Sequence, residues 1–529
     1  MHKSDWIIAL ILFLATIIIL CATSSQYGLA WDEPYNYYPA VDAYQWLQLL
    51  VSHPGQAISD TAINQYWSKV HEHPSISKII AGITYNWFSG TFGDLLAFRL
   101  GEFILFSLLI AMIYLFTLQL FNRTTALFSA VAFLLMPRIF GQAHFATTDI
   151  PLVLMWVLTV FCFYKGLDNW KWSIATGIVW GLGLATKINL LFLPIPLILW
   201  AQLFHRKKYG NNAFSMLFLS PIIFFLSWPW LWFQTKPRIM EYLLFYAQHK
   251  FTTVYYFGKM YVLTSAPWKY PLVYTLTTIP ITILFLISVA IIIIVIKQIP
   301  NNTQTPISNE PNTFGVQMLV LFNALFPILL QSGPASPKYD GIRLFLPAFP
   351  YLAILAGIGF NWIIVSVGAN RWFTRISGRF ADSPLPQILL AILFFIPPLY
   401  HVIDTHPYQL SYYNLLLKGV NGAHQKGMES TYWCEAVNQD VLQYLNQSVP
   451  ENGKVRFLSF SDEVVQWYQE HGYLRKDIQC FSTDQPDYFI LLCRQGFFGG
   501  MEWNLYRHAI PIKAFSYKNR VPLVLIYHN

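Results

Sequence analysis

A helix crosses the hydrocarbon core of a bilayer in about 20 apolar residues, at a rise of about 1.5 Å each. This sequence supplies such runs repeatedly, near 6–23, 95–121, 124–141, 150–167, 172–187, 188–204, 213–233, 272–297, 315–331, 344–366 and 386–404. Read as spans they number about eleven, and they confine the chain to a mainly α, polytopic membrane bundle. The pair over 172–204 is the most interrupted, by Lys187 and Asn189 and then by Pro194 and Pro196. Charged residues make up 11% of the 529, where a soluble domain carries about 25%. The formal net charge of +8 does not indicate nucleic acid, because the basic residues fall in short loops between apolar runs. Their expected partners are anionic head groups.

Loop charge sets the orientation. With the N-terminus in the cytoplasm, every second loop is basic: Arg123, Lys165 with Lys171, "HRKK" at 205–208, Lys297, then Arg371, Arg375 and Arg379. An odd number of spans sends the C-terminus outside. Met1 to Cys21 has a basic start and a long apolar run, yet no clean small-x-small site follows, so it reads as a retained first helix rather than a cleaved signal. The expected domains are a transmembrane domain over 1–405, with a first extracytoplasmic loop at 24–94, and a soluble extracytoplasmic domain over 406–529. The tail alternates strand-like runs, "VRFLSF", "DYFILLC" and "VPLVLIY", with helix-like stretches such as "EVVQWYQEHGYL", which reads as a small α/β fold. "NNTQTPISNEPNT" (301–313) reads as a polar cytoplasmic linker. The five cysteines are too few for a disulfide framework, although one bridge among Cys434, Cys480 and Cys493 is compatible with an outside tail.

Chemistry concentrates at the outer face. "YGLAWDEPYNYYPA" (27–40) places Asp32 and Glu33 just after the first span, amid Trp and Tyr. "HEHPSISK" brings His73 and Lys78, and Arg99 stands at the mouth of the second span. "PRIFGQAHFATTDIP" (137–151) brings Arg138, His144 and Asp149. Lys187 lies at the outer turn of the next hairpin, and "KYDGIR" (338–343) supplies Lys338, Tyr339, Asp340 and Arg343. Ionisable groups at membrane depth are costly and tend to line cavities. Carboxylates beside cations suit one reaction type: a carboxylate takes a proton from an acceptor, while cations stabilise charge growing on a phosphate leaving group. Blander readings exist. Asp32 before Pro34 has the makings of a helix N-cap, as does Asp149 before Pro151. Lys78 has the length to snorkel, Arg99 could anchor an interface, His144 could be a satisfied core histidine, and Asp340-Gly341 could be a turn.

"WDEPYNY", "HPSISK" and "PRIFGQAHFATTDIP", followed in order by "GLGLATKINLLFLP", "YYFGKMYVLTSAPWKYP" and "YDGIRLFLPAFPYLAILAGIGF", resemble the C-type glycosyltransferases. The branch they resemble holds the protein O-mannosyltransferases and the lipid A aminoarabinose transferases. "HPYQLSYYNLLLKGVNGAH" and "ESTYW" are also similar to bacterial members. The resemblance implies a polyprenyl-phosphate-sugar donor, inverting transfer of a monosaccharide on the outer face of a bacterial inner membrane, and an acceptor that is protein, lipid or glycan. It implies that Asp32 is the catalytic base or the group that orients the acceptor, and that Asp149 is a second important acid; Glu33, beside Asp32, is expected as a further supporting catalytic acid. His73, Lys78, Arg99, Arg138, His144, Lys187, Tyr339 and Arg343 are then the expected substrate or lipid-phosphate contacts. The mannosyltransferases show His-Pro-Pro where this chain has His73-Pro74-Ser75, which leaves the acceptor class open. The family divides on metal use; here no catalytic metal and no other cofactor is expected. Three rivals remain: a transporter or flippase, which would want midplane charges and paired repeats, an assembly protein working through its tail, and a relative using a lipid-linked oligosaccharide.

Overall fold

The computed structural model describes residues 2–69, 72–247, 252–296, 313–369, 385–482 and 485–529. Lys297, Arg371, Arg375, Arg379 and all but the last residue of the 301–313 linker lie outside them. Each of the eleven apolar runs contains helix. Six described helices are long and apolar enough to cross a membrane: Lys3–Gln26, Asp94–Leu120, Asp149–Gly166, Gly210–Ser227, Thr313–Gln331 and Arg343–Ser366. Tyr270–Thr278 and Ile281–Ile296 together are also long and apolar enough, as a broken span or a re-entrant pair, and are bent by 115° where Pro280 cannot donate a backbone N–H. The other runs are shorter helices for local reasons. Pro137 closes Arg123–Leu134 and opens Pro137–Gln142. Lys187 and Asn189 leave a 3-10 turn, Ile188–Phe192, before Pro194 starts the helix Pro194–Phe204.

Helices Lys3–Thr23, Asp94–Leu120 and Asp149–Gly166 share one end, where Arg99 reaches the Ser24 carbonyl and Asp149 begins its helix. At their opposite ends Arg123 pairs with Asp5, and Lys208 with Asp168. The residues between the first two long helices are themselves helical, as Glu33–Ser52, Asp60–Trp67 and Ile76–Phe92. A hairpin of β1 (Thr253–Tyr256) and β2 (Lys259–Val262) also forms. Phe257 and Gly258 make its turn at φ 48° and 76°, and the Gly258 N–H donates to the Gly427 carbonyl at 3.0 Å.

The tail carries β3 (Val455–Leu458), β4 (Tyr488–Leu492), β5 (Lys513–Tyr517) and β6 (Val521–His528) in the order β3-β4-β6-β5. The β3–β4 pair is parallel and the other two are antiparallel. This sheet does not stand apart from the bundle. Leu29, Tyr37, Ala40, Ala81, Leu95, Phe98 and Ala146 share one apolar cluster with Val441, Val464, Trp467, Ile490 and Val524 of the tail. The five cysteines are free thiols, Cys434 and Cys493 being buried.

Close backbone approach sets the helix Ile76–Phe92 against Glu33–Ser52. A Cβ on Gly82 would lie 2.2 Å from the Ala40 carbonyl oxygen, a backbone atom that cannot swing aside. Gly82→Val is therefore expected to cost about 1–3 kcal/mol through forced backbone shifts, read as a lower thermal midpoint of the purified protein in detergent. Gly90→Val, where a Cβ meets nothing within 4 Å, is the control and leaves that packing contact untouched.

Candidate active site

The loop before the helix Arg343–Ser366 turns on two successive left-handed residues, Asp340 at φ 53° and Gly341 at φ 63°. Gly341 is required twice over, by its positive φ and because a Cβ there would lie 2.6 Å from Arg138 Nη1; its N–H donates to the Tyr270 hydroxyl at 3.1 Å. The turn brings Asp340 back onto Arg343. Arg343 then serves three carboxylates: Nε donates to Asp149 Oδ2 at 2.7 Å, Nη1 to Asp340 Oδ2 at 3.1 Å, and Nη2 to Asp32 Oδ2. The Trp433 ring lies 4.7 Å from its guanidinium carbon. Asp149 is also held by Lys187 Nζ at 2.5 Å and by the Gln142 amide at 3.2 Å. Asp340 gives its second oxygen to Arg494 of the tail at 2.8 Å, and burial pushes its carboxyl up, against the pull of Arg494 and Arg343.

Asp32, Asp149 and Asp340 thus face Lys187, Arg343 and Arg494 in one connected set. Asp32 is its open member, with 23% of its side chain exposed against 0% for Asp149 and 5% for Asp340. Taking ion pairs out of water costs several kcal/mol per ion before they attract one another, so such a set is poor evidence of stability and good evidence of a working site. Neither Asp32 nor Asp149 caps a helix in the way the sequence allows: Asp32 stands at the N-cap of Glu33–Ser52 without a capping side-chain bond, and Thr148 occupies the N-cap before Asp149.

Glu33 and Arg99 belong to a different assembly. Arg99 meets Glu33 as a fork, Nε to Oε1 at 2.8 Å and Nη2 to Oε2 at 2.7 Å, both side chains being fully buried. Glu33 also accepts the N–H groups of Ala30 and Ala146, at 2.8 and 3.0 Å. Arg99 donates to the carbonyls of Ser24, Tyr27 and Gly28. Each group satisfies the other, so this geometry leaves neither a proton acceptor on Glu33 nor a phosphate donor on Arg99; the pair ties the first loop to the second long helix. His144 is likewise engaged. Its Nδ1 is 2.8 Å from the Phe140 carbonyl, its Nε2 is 2.8 Å from the Thr23 hydroxyl, and its ring stacks on Tyr27 at 3.9 Å. Burial holds its pKa well below the usual range. These three expected site residues are structural pins in the observed arrangement.

His73 and Lys78 do lie beside the cluster. Burial, with the charges of Lys187, Lys78 and Arg343, pushes His73 down to about 3, so its ring is neutral and 3.3 Å from the Tyr246 hydroxyl. Lys78 donates to the His73 carbonyl at 2.6 Å, and burial lowers it to about 7 against the pull of Glu72. Tyr339, with burial dominating, feels Arg343, Asp340, Asp32 and Asp149. Lys338 is turned away, closing its own loop onto the carbonyls of Gly333 and Ser336. Arg138 is buried among Tyr274, Tyr413 and Tyr432, with ring centroids at 5.4, 4.5 and 5.7 Å, and donates to the Tyr412 carbonyl. It anchors the segment that follows the last apolar helix. Arg494, Trp433 and Gln142 were not legible as site residues. The available signal was a cation two residues past the end of a buried strand, in "FILLCRQGF". Among the described residues, no three His, Cys, Asp or Glu side chains gather as a metal-ligand set.

Residues 73–233 match the sequence model of the dolichyl-phosphate-mannose-protein mannosyltransferase family. No curated protein matches the chain in sequence. Among solved structures, the fold is similar to that of ArnT from Cupriavidus metallidurans in the apo state. The identity is 15% and the TM-score 0.52, over 99% of this chain and 97% of that one. The same protein bound to undecaprenyl phosphate gives 14% identity and a TM-score of 0.50, over 99% and 98% of the two chains. The resemblance carried by the motifs therefore stands: the chain has the fold of a C-type membrane glycosyltransferase along its length, and its residues 73–233 match the mannosyltransferase family model. That stretch includes Lys78, Asp149 and Lys187 but neither Asp32 nor Arg343.

The two assemblies predict opposite mutant phenotypes. Arg99→Met strands the buried Glu33 carboxylate and is expected to cost about 3–5 kcal/mol, seen as loss of folded protein or a large drop in thermal midpoint. Asp32→Asn, at the more open edge of the other cluster, keeps a carbonyl oxygen that can accept from Arg343 and is expected to cost about 1 kcal/mol, the centre of the range for single substitutions, so the protein stays folded with a much smaller drop in midpoint.

Proposed function

We propose that this protein transfers a monosaccharide from a polyprenyl-phosphate carrier to an acceptor hydroxyl or amine, with inversion, at the extracytoplasmic face of a bacterial inner membrane. In this reading the N-terminus is cytoplasmic and the tail extracytoplasmic. The observation that carries it is the shared Arg343, which joins a partly accessible carboxylate, Asp32, to a buried one, Asp149, that also grips Lys187. A glycosyl phosphate needs this combination. The acceptor proton passes to Asp32 as the acceptor oxygen or nitrogen bonds to the anomeric carbon. The bond from that carbon to the phosphate oxygen breaks on the opposite face, and the electron pair leaves with the phosphate. Arg343 and Lys187 stabilise that charge, Arg343 as a planar fork and Lys187 as a point charge. Asp149 contacts both cations and sets their spacing. The site's own cations perform the charge stabilisation, so this reading requires no divalent metal.

The cluster is internally neutralised, so a donor phosphate arriving at Arg343 competes with Asp32. Donor binding then frees the base where it is needed. Asp32→Asn is expected to bind donor at least as well as wild type while turnover falls about 100- to 10,000-fold, the range for a lost general base. The measurement is sugar release and transfer by protein in lipid, across a panel of polyprenyl-phosphate sugars with and without a chelator. Cleavage by wild type, lost in the folded mutant and indifferent to chelator, is the expected result. Binding or movement of the lipid without cleavage, alike in both proteins, would contradict the proposal and favour a transporter.

Lys78 adds a pH dependence. With its pKa at about 7, its ammonium is present below that value and lost above it. If it meets the donor phosphate, the donor KM rises from pH 7 to pH 9. Lys78→Arg, which stays charged throughout, flattens that rise.

A further inference from the structure

The tail reaches into the cluster through one side chain. Arg494 stands two residues past the end of β4 and is fixed to the sheet there: the Cys493 N–H donates to the Leu523 carbonyl at 2.8 Å, and the Arg494 N–H to the Leu492 carbonyl at 2.7 Å. Its guanidinium is buried, 3.6 Å from the Phe497 ring centroid and 5.4 Å from that of Trp31. Trp31 is the neighbour of Asp32, and its ring meets Phe497 edge-on at 5.4 Å. From this position Arg494 Nη2 takes Asp340 Oδ1 at 2.8 Å, while Asp340 Oδ2 takes Arg343 Nη1 at 3.1 Å. A ring of contacts results, from β4 through Arg494, Asp340 and Arg343 to Asp32, and back through Trp31 to Arg494.

We propose that Arg494 is a positioning residue for the transfer reaction, which it never touches directly: it holds Asp340 against one arm of Arg343 and so fixes the angle at which another arm meets Asp32 or the phosphate that displaces it. This inference rests on the reading of the site as a lipid-phosphate glycosyltransferase and adds the tail to its machinery. The physical reason lies in the fork. Arg343 is planar, so its Nη2 direction is set once Nε and Nη1 are held. Asp149 holds Nε from the bundle, and Asp340 holds Nη1 only as firmly as Arg494 holds Asp340. Without Arg494, Asp340 is buried with a single partner, and the fork is left to pivot about Asp149. The donor's phosphate still meets a full positive charge, whereas its alignment with the acceptor is lost.

The test is steady-state kinetics with those polyprenyl-phosphate sugars that wild type cleaves, comparing Arg494→Met, Asp340→Asn and the double variant, with thermal midpoints alongside. Arg494→Met is expected to lower kcat about 100-fold with donor KM changed by less than about threefold, the cost of a misplacement near 1 Å rather than of lost binding. The double variant should be no worse than about twofold below Asp340→Asn, because the two residues act through one contact. Arg494→Lys, which keeps the charge but not the planar fork, should recover part of kcat. It also serves the same cycle with Asp340→Asn if the Met variant does not fold. A raised KM at unchanged kcat, or losses that multiply in the double variant, would show Arg494 to be a tail anchor and overturn the inference alone. Wild type cleaving no polyprenyl-phosphate sugar would overturn it together with the glycosyltransferase reading.

Discussion

Arg343 is the interaction on which the site depends. One guanidinium cannot satisfy three carboxylates unless each arrives from a fixed direction, and each of the three comes from a different part of the chain. Asp32 comes from the start of the first-loop helix, Asp149 from the first turn of a long apolar helix, and Asp340 from the left-handed turn beside Gly341. Gly341 has its place because Arg138 stands where a Cβ would go. Glu33 and Arg99, packed one residue from Asp32, keep the first loop from sliding along the second long helix. The fold brings these directions together, and the desolvation cost of the cluster is offset by the pairing of each charge with an opposite one.

Charge balance explains how such a site works without a nucleotide or a loop of glycines. Empty, its cations are matched by its acids, and Asp32 is restrained. In the proposed reading, a phosphate changes the sharing and leaves Asp32 as the group nearest to solvent that lacks a partner. On that reading the base is withheld until the leaving group is in place, which would limit hydrolysis of a donor by stray water. The tail takes part in the same logic, since Trp433 lies over the Arg343 guanidinium and Arg494 pairs with Asp340.

Much of this was legible in the sequence. Each apolar run contains helix, and the strand-like runs of the tail match β3, β4 and β6, because burial in a bilayer or a sheet leaves a composition that can be read directly; the first-loop helices Glu33–Ser52 and Ile76–Phe92 and the strand β5 lie outside those runs. Asp32, Asp149, Lys187 and Arg343 stood out as charges where none is comfortable. The same criterion also selected Glu33, Arg99 and His144, since a charge or ring buried for structure and one buried for chemistry look alike along a chain; only partners distinguish them. Arg494 was missed for the complementary reason. It sits in a soluble-looking tail where a cation is unremarked, and its importance arises from a contact 154 residues away in sequence. The broken helix at Lys187 was flagged by its residues, while the break at Pro137 and the 115° bend at Pro280 lay inside runs that read as continuous.

The measurement that bears most directly on the central claim is a structure of the protein in a lipid nanodisc with undecaprenyl phosphate bound. The account predicts a phosphate oxygen within hydrogen-bonding distance of Arg343 and Lys187, with the Asp32 carboxylate released from Arg343 and facing the acceptor side. A phosphate seated elsewhere, with the Asp32–Arg343 pair intact, would contradict it.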